Sequence, residues 1–373
     1  MNVHFREIRK SDIPEIINEE SLWDHSFLIA TKHRLLAHYN NPKASSDDLV
    51  LLIGYLDSEI IGYMGIMMDH IHIGSEIQKI GWLSTWWLHP NAAGKGIGSA
   101  MLKKMYALNN GKIGVSQFTP SAKRVYDKSD NFYYLKKLEG CKVDIKLNLG
   151  YLLPEYHKSF KKFAFVFKTF DAIFNSINEL KLKLVYIHYK KALNGLSIDY
   201  LSCIDKKTER FLKRKQNRNL TRRDADFFQF IKTYQWIEES PLLEFVKNEK
   251  KYAFSGYSKD FNIYLIKIEN EKSEIIGFIS LLKKEHELKV LQVFYEKEEH
   301  LLMTKTIIMH GIAINARTII TYDQNITNEL KRLKMARIRF KKKERASMIS
   351  KIYGEVNYEK YDFQYGDGDC SFA

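Results

Sequence analysis

The chain has 373 residues, 45% of them apolar, and 59 lysines and arginines against 45 acidic residues give a formal net charge of +14. That length exceeds what one hydrophobic core ordinarily serves and predicts two domains. Three widely spaced cysteines, Cys141, Cys203 and Cys370, exclude a disulfide framework and a cysteine-based metal site. The stretch Met1–Lys10 is polar rather than signal-like, and no apolar run reaches the ~18–20 residues that span a bilayer, so a soluble cytoplasmic protein is expected. The positive charge suits a polyanionic ligand. Its densest runs, Lys206–Arg223 and Lys331–Arg345, read as solvated basic faces, because no nucleic-acid-binding module accompanies them.

In chain order, Val50–Tyr55 and Glu59–Met67 read as strands around an Asp57-Ser58 turn. His70 and His72 follow, two residues apart and so on one strand face, with Asp69 beside them. The apolar run Trp82–Leu88 reads as a strand ending at Pro90. Gly94-Lys95-Gly96-Ile97-Gly98 and a helix from about Ser99 come next. Strand, glycine loop, helix is an anion-binding order: glycines let the backbone approach, and the first helical N–H groups have no internal partner. The loop is not a nucleotide triphosphate loop, since Lys95 is followed by Gly96, and it lacks the third glycine of a dinucleotide fingerprint. Ile113–Phe118 reads as a further strand, and Ser121–Tyr126 opens a helix closed by Asn131-Phe132. Phe160–Ile187 is apolar but interrupted by Lys161, Lys162, Lys168, Asp171 and Lys181. It is expected to be a buried helix and strand rather than a membrane anchor. Asn194-Gly195 then precedes a strand at Leu196–Ile204.

The second half repeats the first. Ser58-Glu59-Ile60-Ile61-Gly62-Tyr63 recurs as Ser273-Glu274-Ile275-Ile276-Gly277-Phe278, again between two apolar strands. Strand, helix, strand and helix follow at Leu288–Tyr295, Glu298–Asn315, Thr318–Tyr322 and Asn325–Lys334. The glycine loop is not repeated. Glu296, Glu298 and Glu299 stand in its place and would repel an anion. No tyrosine corresponds to Tyr126; Lys331 and Arg332 lie nearby.

Leu88-His89-Pro90 followed by Ala93-Gly94-Lys95-Gly96-Ile97-Gly98 resembles the strand end and pyrophosphate loop of the GNAT family of acyl-CoA N-acyltransferases, with Ala93 where that family usually has arginine or glutamine. Ile61-Gly62-Tyr63 and Ala122 followed four residues on by Tyr126 resemble two further family features, in the family's order over about 145 residues. The resemblance implies an α/β (α+β) protein of two GNAT-like domains, each a mixed, mostly antiparallel twisted sheet flanked by helices. It places the acyltransferase domain at residues 1–150, a connecting segment at 151–194 and a degenerate copy at 195–373. It implies acetyl-CoA or another acyl-CoA as cosubstrate, held by Trp87, Leu88, Gly94, Lys95, Gly96, Ile97, Gly98 and Ser99. Tyr126 would be the general acid toward the leaving thiolate. The family's usual glutamate before the loop is missing from Gly81–Thr85, which leaves His70 or His72 as candidate base. No third ligand joins Asp69, His70 and His72, so no metal is expected. Asp24 and His25 lie where the family shapes its acceptor pocket. Trp82, Trp86 and Trp87 suit stacking on a sugar or base, or sheet packing. The expected activity is N-acetylation of a small amine, with a nucleotide-linked amino sugar of bacterial surface-glycan synthesis as the leading acceptor. The closing Tyr365–Cys370 resembles the ends of two-domain proteins from such clusters. A non-catalytic scaffold that keeps the fold is the other reading.

Overall fold

A computed structural model describes residues 3–236, 251–254, 258 and 260–372. In chain order its principal strands are β1 (Val3–Arg9), β2 (Leu49–Leu56), β3 (Glu59–Ile73), β4 (Glu76–Leu88), β5 (Ile113–Val115), β6 (Phe132–Tyr134) and β7 (Leu138–Asp144). Strands β8 (Ser197–Tyr200), β9 (Phe261–Glu269), β10 (Ile275–Lys284), β11 (Glu287–Tyr295), β12 (Thr318–Thr321), β13 (Arg339–Arg345) and β14 (Met348–Ser350) follow. The principal helices are α1 (Lys32–Tyr39), α2 (Ile97–Leu108), α3 (Pro120–Ser129), α4 (Leu149–Tyr156) and α5 (Ala164–Ala192). After them come α6 (Lys206–Lys215), α7 (Ala225–Thr233), α8 (His300–Ala313) and α9 (Gln324–Arg332).

Two seven-stranded sheets form, ordered β1-β2-β3-β4-β5-β14-β6 and β8-β9-β10-β11-β12-β7-β13. Both are mixed and mostly antiparallel, with a parallel step from β4 to β5 in the first and from β11 to β12 in the second. They are the two mixed sheets that the repeat implies. The repeated turn is real geometry: Asp57 and Ser273 both take positive φ, 55° and 58°. It sets Gly62 opposite Leu88 and Gly277 opposite Tyr295, so a glycine faces the last residue of the fourth strand in both sheets.

The compact units do not follow the sequential boundaries expected at residues 150 and 194. One comprises 1–138, 203–259 and 345–373; the other comprises 139–202 and 260–344. Strand β7 follows β6 directly in sequence yet lies beside β12 in the second sheet, while β14 from near the far end of the chain lies between β5 and β6. Each sheet therefore receives its penultimate strand from the other half of the sequence. Burial explains the choice: Cys141, Val143 and Ile145 fill the second unit's core, and Met348 fills the first unit's core under α2 and α3. The stretch 151–194 is no mere connector. It belongs to the second unit and holds most of α4 and all of α5, and Phe160–Ile187, expected to be a buried helix and strand, runs mostly as the single helix α5.

A buried ion cluster fastens the first unit together. Arg223, with no exposed side-chain surface, pairs with Asp69 of β3 at 2.8 Å and with Asp367 at 3.6 Å, and its guanidinium lies 3.9 Å over the Phe227 ring. Asp69 also accepts from the Trp82 indole. Arg345, at the end of the other basic run, donates to the Ser116 and Tyr365 carbonyls. Both runs expected to be solvated thus end in buried arginines. Replacing Arg223 by leucine leaves two buried carboxylates facing one another. Chemical denaturation should show a loss of about 3–5 kcal/mol, and additional replacement of Asp367 by asparagine should restore part of it.

Candidate active site

Strand β5 accompanies β4 only from Gly81 to Leu83, where Val115 is the last partner, but β4 runs on to Leu88. The edge of β4 beyond Leu83 is therefore left open on that side. The His89 N–H donates to Ile61 O at 2.8 Å, and antiparallel pairs alternate, so Trp87 turns its backbone groups toward β3. Trp86 and Leu88 consequently turn their N–H and C=O groups away from β3, into the opening. Ser84 is the extra residue of a bulge opposite Gly65 and Ile66, at the point where the strands part.

The glycine loop closes one end of this opening. Gly94 and Gly96 have φ of 74° and 71°, and a Cβ at either would meet nothing within 4 Å. Glycine is required there by conformation, not crowding. Gly96 is the N-cap of α2, and the first-turn N–H groups of Ile97, Gly98 and Ser99 face outward with the helix dipole behind them. Lys95 differs from its expected role: its N–H donates to Ala92 O within the loop, so it can offer an anion only its exposed side chain. Ala93 is exposed and adds no polar group. An acyl-CoA fits this donor set. Two left-handed glycines and a free helix start face open space, and the Trp86 indole, packed on Tyr126 beside Gly98, keeps its Nε1 without a partner.

Tyr126 lies on α3, its ring packed against Trp86, Phe118 and Phe132 at 5.5–6.0 Å. Burial and the charge of Asp369 push its phenol well above the ordinary tyrosine range. Asp369 was not picked out by the sequence. The segment Phe363–Phe372 runs into the first unit beside Ser116, the residue after β5; Gly368 sits so close that a Cβ would lie 2.5 Å from Ser116 Cβ. There the half-buried Asp369 accepts a hydrogen bond from Ser116 Oγ. Desolvation raises its carboxyl above the usual range, with the Ser116 bond and the Arg34 charge opposing. Arg34 itself lies 3.7 Å over the Trp236 ring, which stacks on Phe372 at 4.4 Å. One signal for this was in the sequence, the two carboxylates of Tyr365–Cys370, but nothing local places them beside residue 126.

His70 and His72 are not brought to this site. They lie toward the β3–β4 turn, and His70 is five residues beyond Gly65, about 17 Å along the strand. Burial lowers both imidazoles, and the His72 N–H donates to Leu220 O. Asp69, on the opposite strand face from them, is committed to Arg223. Among the described residues no His, Cys, Asp or Glu cluster could hold a metal. The tryptophans separate as well. Trp82 is fully buried and bonded to Asp69, whereas Trp87 lies on the opposite sheet face from Trp86, against Phe27 at 4.6 Å and Tyr63 at 5.5 Å. His25 reaches the same wall, 6.0 Å from Phe27.

In the second unit the corresponding place is closed. The Tyr295 hydroxyl, at the end of β11, donates to Asp323, the N-cap of α9, and accepts from Asn325. Glu298 adopts φ 72° without glycine's freedom, and Glu299 stands at the N-cap position of α8 without a side-chain capping bond. Counted from the N-caps, Leu330 stands where Tyr126 stands in the first unit.

Residues 7–128 match the acetyltransferase (GNAT) family model. This stretch is a GNAT domain. Among solved structures, a conserved protein from Enterococcus faecalis V583 described as a probable N-acyltransferase superposes with a TM-score of 0.50 at 9% identity, covering 94% of this chain and 74% of that one. Saccharomyces cerevisiae N-myristoyltransferase with bound myristoyl-CoA superposes with a TM-score of 0.51, also at 9% identity, covering 94% and 79%. At that identity both show the fold alone. No curated protein sequence matches the chain. The fold of the GNAT domain is that of acyl-CoA-dependent N-acyltransferases.

Because Gly96 needs its positive φ, Gly96→Ala should cost about 1 kcal/mol in thermal or chemical unfolding. Lys95→Ala should leave stability unchanged.

Proposed function

We propose that the first unit transfers an acyl group, most simply acetyl, from an acyl-CoA to the primary amine of a small acceptor. The observation that carries this reading is the open edge of β4 between a left-handed glycine loop and the buried Tyr126 phenol, within the field of the Asp369 carboxylate. The bound acyl-CoA would supply the activated thioester. The helix start at Ile97–Ser99 and the N–H groups of Gly94 and Gly96 would hold its pyrophosphate, with Lys95 contributing its ammonium. The outward N–H groups of Trp86 and Leu88 would orient the pantetheine arm and polarise the carbonyl.

Asp369 is the proposed base in place of His70 and His72. An acceptor ammonium must lose a proton before it attacks, and a carboxylate whose pKa is raised by desolvation accepts one more readily than an ordinary one. Tyr126 keeps its proton at any ordinary pH and would donate a hydrogen bond to the departing sulfur as negative charge develops there. The acceptor would approach along the Trp87–Phe27–Tyr63 wall, whose ring faces suit a sugar, which supports an amino-sugar acceptor. A non-catalytic scaffold is the second reading. Ala93 favours it, as does the segment Phe363–Phe372, which fills space beside the opening.

Calorimetric titration with acetyl-CoA separates the two. The intact chain should bind saturably and Gly96→Glu should not; no binding by the intact chain sinks the proposal. With an accepted amine, Tyr126→Phe should bind normally and turn over more slowly. Asp369→Asn should lose about 10²–10⁴-fold in kcat. The base acts only when ionised, so kcat/KM should rise with pH through an apparent pKa above the ordinary carboxylate range and fall away below it. Asp369→Asn should abolish that limb; an unchanged profile would remove Asp369 from the mechanism.

A further inference from the structure

Helix α5 has 29 residues, about 44 Å of helix. One face, carrying Leu182, Val185 and Tyr189, is buried in the second unit. From Phe163 to Ile187 another face presents a large apolar side chain at alternating steps of three and four residues, among them Val166, Phe170, Ile177 and Leu184. Every one of these is exposed, Ile177 by 70% and Leu184 by 65%. An unbroken apolar seam of this length in water is unfavourable and marks a contact surface.

The charges beside the seam say what kind. Lys168, Lys181, Lys183, Lys190 and Lys191 lie along α5, and Lys161 and Lys162 precede it. The helix's two acidic residues are already engaged: Asp171 is buried and accepts the Leu149 and Gly150 N–H groups, and Glu179 pairs with Lys146. The net free charge along the helix is therefore positive. At its N-terminal end, between α4 and α5, opens a cleft of about 1060 Å³ to which Lys158, Lys161, Lys168 and Arg317 contribute. A second copy of α5 would bring no acidic residue to these lysines, whereas a surface of anionic headgroups would.

We infer that α5 lies in the interface of an anionic lipid bilayer, its seam among the acyl chains, its lysines at the headgroups and the basic cleft over a lipid phosphate. No described helix is long and apolar enough to cross a membrane, which agrees with a helix lying in the plane. The same stretch was expected from the sequence to be buried; its seam residues are instead exposed.

Flotation of the full chain with phosphatidylcholine vesicles, with and without phosphatidylglycerol, tests this. The chain should float with the anionic vesicles, much less with phosphatidylcholine alone, and release as salt is raised. The double variant Ile177→Ser/Leu184→Ser and the double variant Lys183→Glu/Lys190→Glu should each bind at least about tenfold more weakly. All four positions are on the surface, so both should keep the parent's circular dichroism and melting. No flotation, or equal flotation of parent and folded variants, overturns the proposal. A dimer in sedimentation velocity that the serine variant dissolves, without vesicle binding, would assign the seam to a second copy instead.

Discussion

The guanidinium of Arg223, held between Asp69 and Asp367, fixes the geometry on which the candidate site rests. Asp69 belongs to β3 and Asp367 to the segment that passes Ser116, so one buried cation ties the sheet to that segment. Two residues beyond Asp367, Asp369 is delivered to Ser116 and Tyr126. Burying a charge triad of this kind gains little net stability over an apolar core, but breaking it is expensive. Its effect is to allow one path for the segment, and hence one position for the carboxylate.

The second constraint is the parting of β4 from β5. A sheet edge left open in a protein interior exposes N–H and C=O groups that must find partners. In the second unit Tyr295, Asp323 and Asn325 supply a closed polar bridge at the equivalent strand end. The first unit keeps the edge open and sets a glycine loop and a helix start beside it. The same fold is thus used twice, once around an opening fit for an anionic, extended ligand and once as a sealed scaffold. Burial decides the strand exchange that joins the two halves of the sequence, since β7 and β14 each fit the core that the other half builds.

Local patterns were legible because their causes are local. The Asp57 and Ser273 turns, the glycine loop and the helix carrying Tyr126 each rest on residues a few positions apart, and their bounds fall within a few residues of expectation. What the sequence hid depends on distant partners. Asp369 becomes interesting only beside Ser116, about 250 positions away. The exchange of β7 and β14 leaves no trace in hydrophobic periodicity. His70 and His72 looked apt by chemistry, and only strand register places them at the wrong end of β3. Phe160–Ile187 suggested a buried helix and strand, when the lysines that interrupt it mark the flanks of an exposed seam.

The central claim is that one unit, and one only, receives an acyl-CoA at the open edge of β4. Hydrogen exchange of the intact chain with and without saturating acetyl-CoA addresses it most directly. The account predicts slowed exchange at the amides of Trp86, Leu88, Gly94 and Gly96–Ser99, and no change between Tyr295 and Leu301. Unchanged exchange throughout, or protection at Tyr295–Leu301 instead, would contradict it.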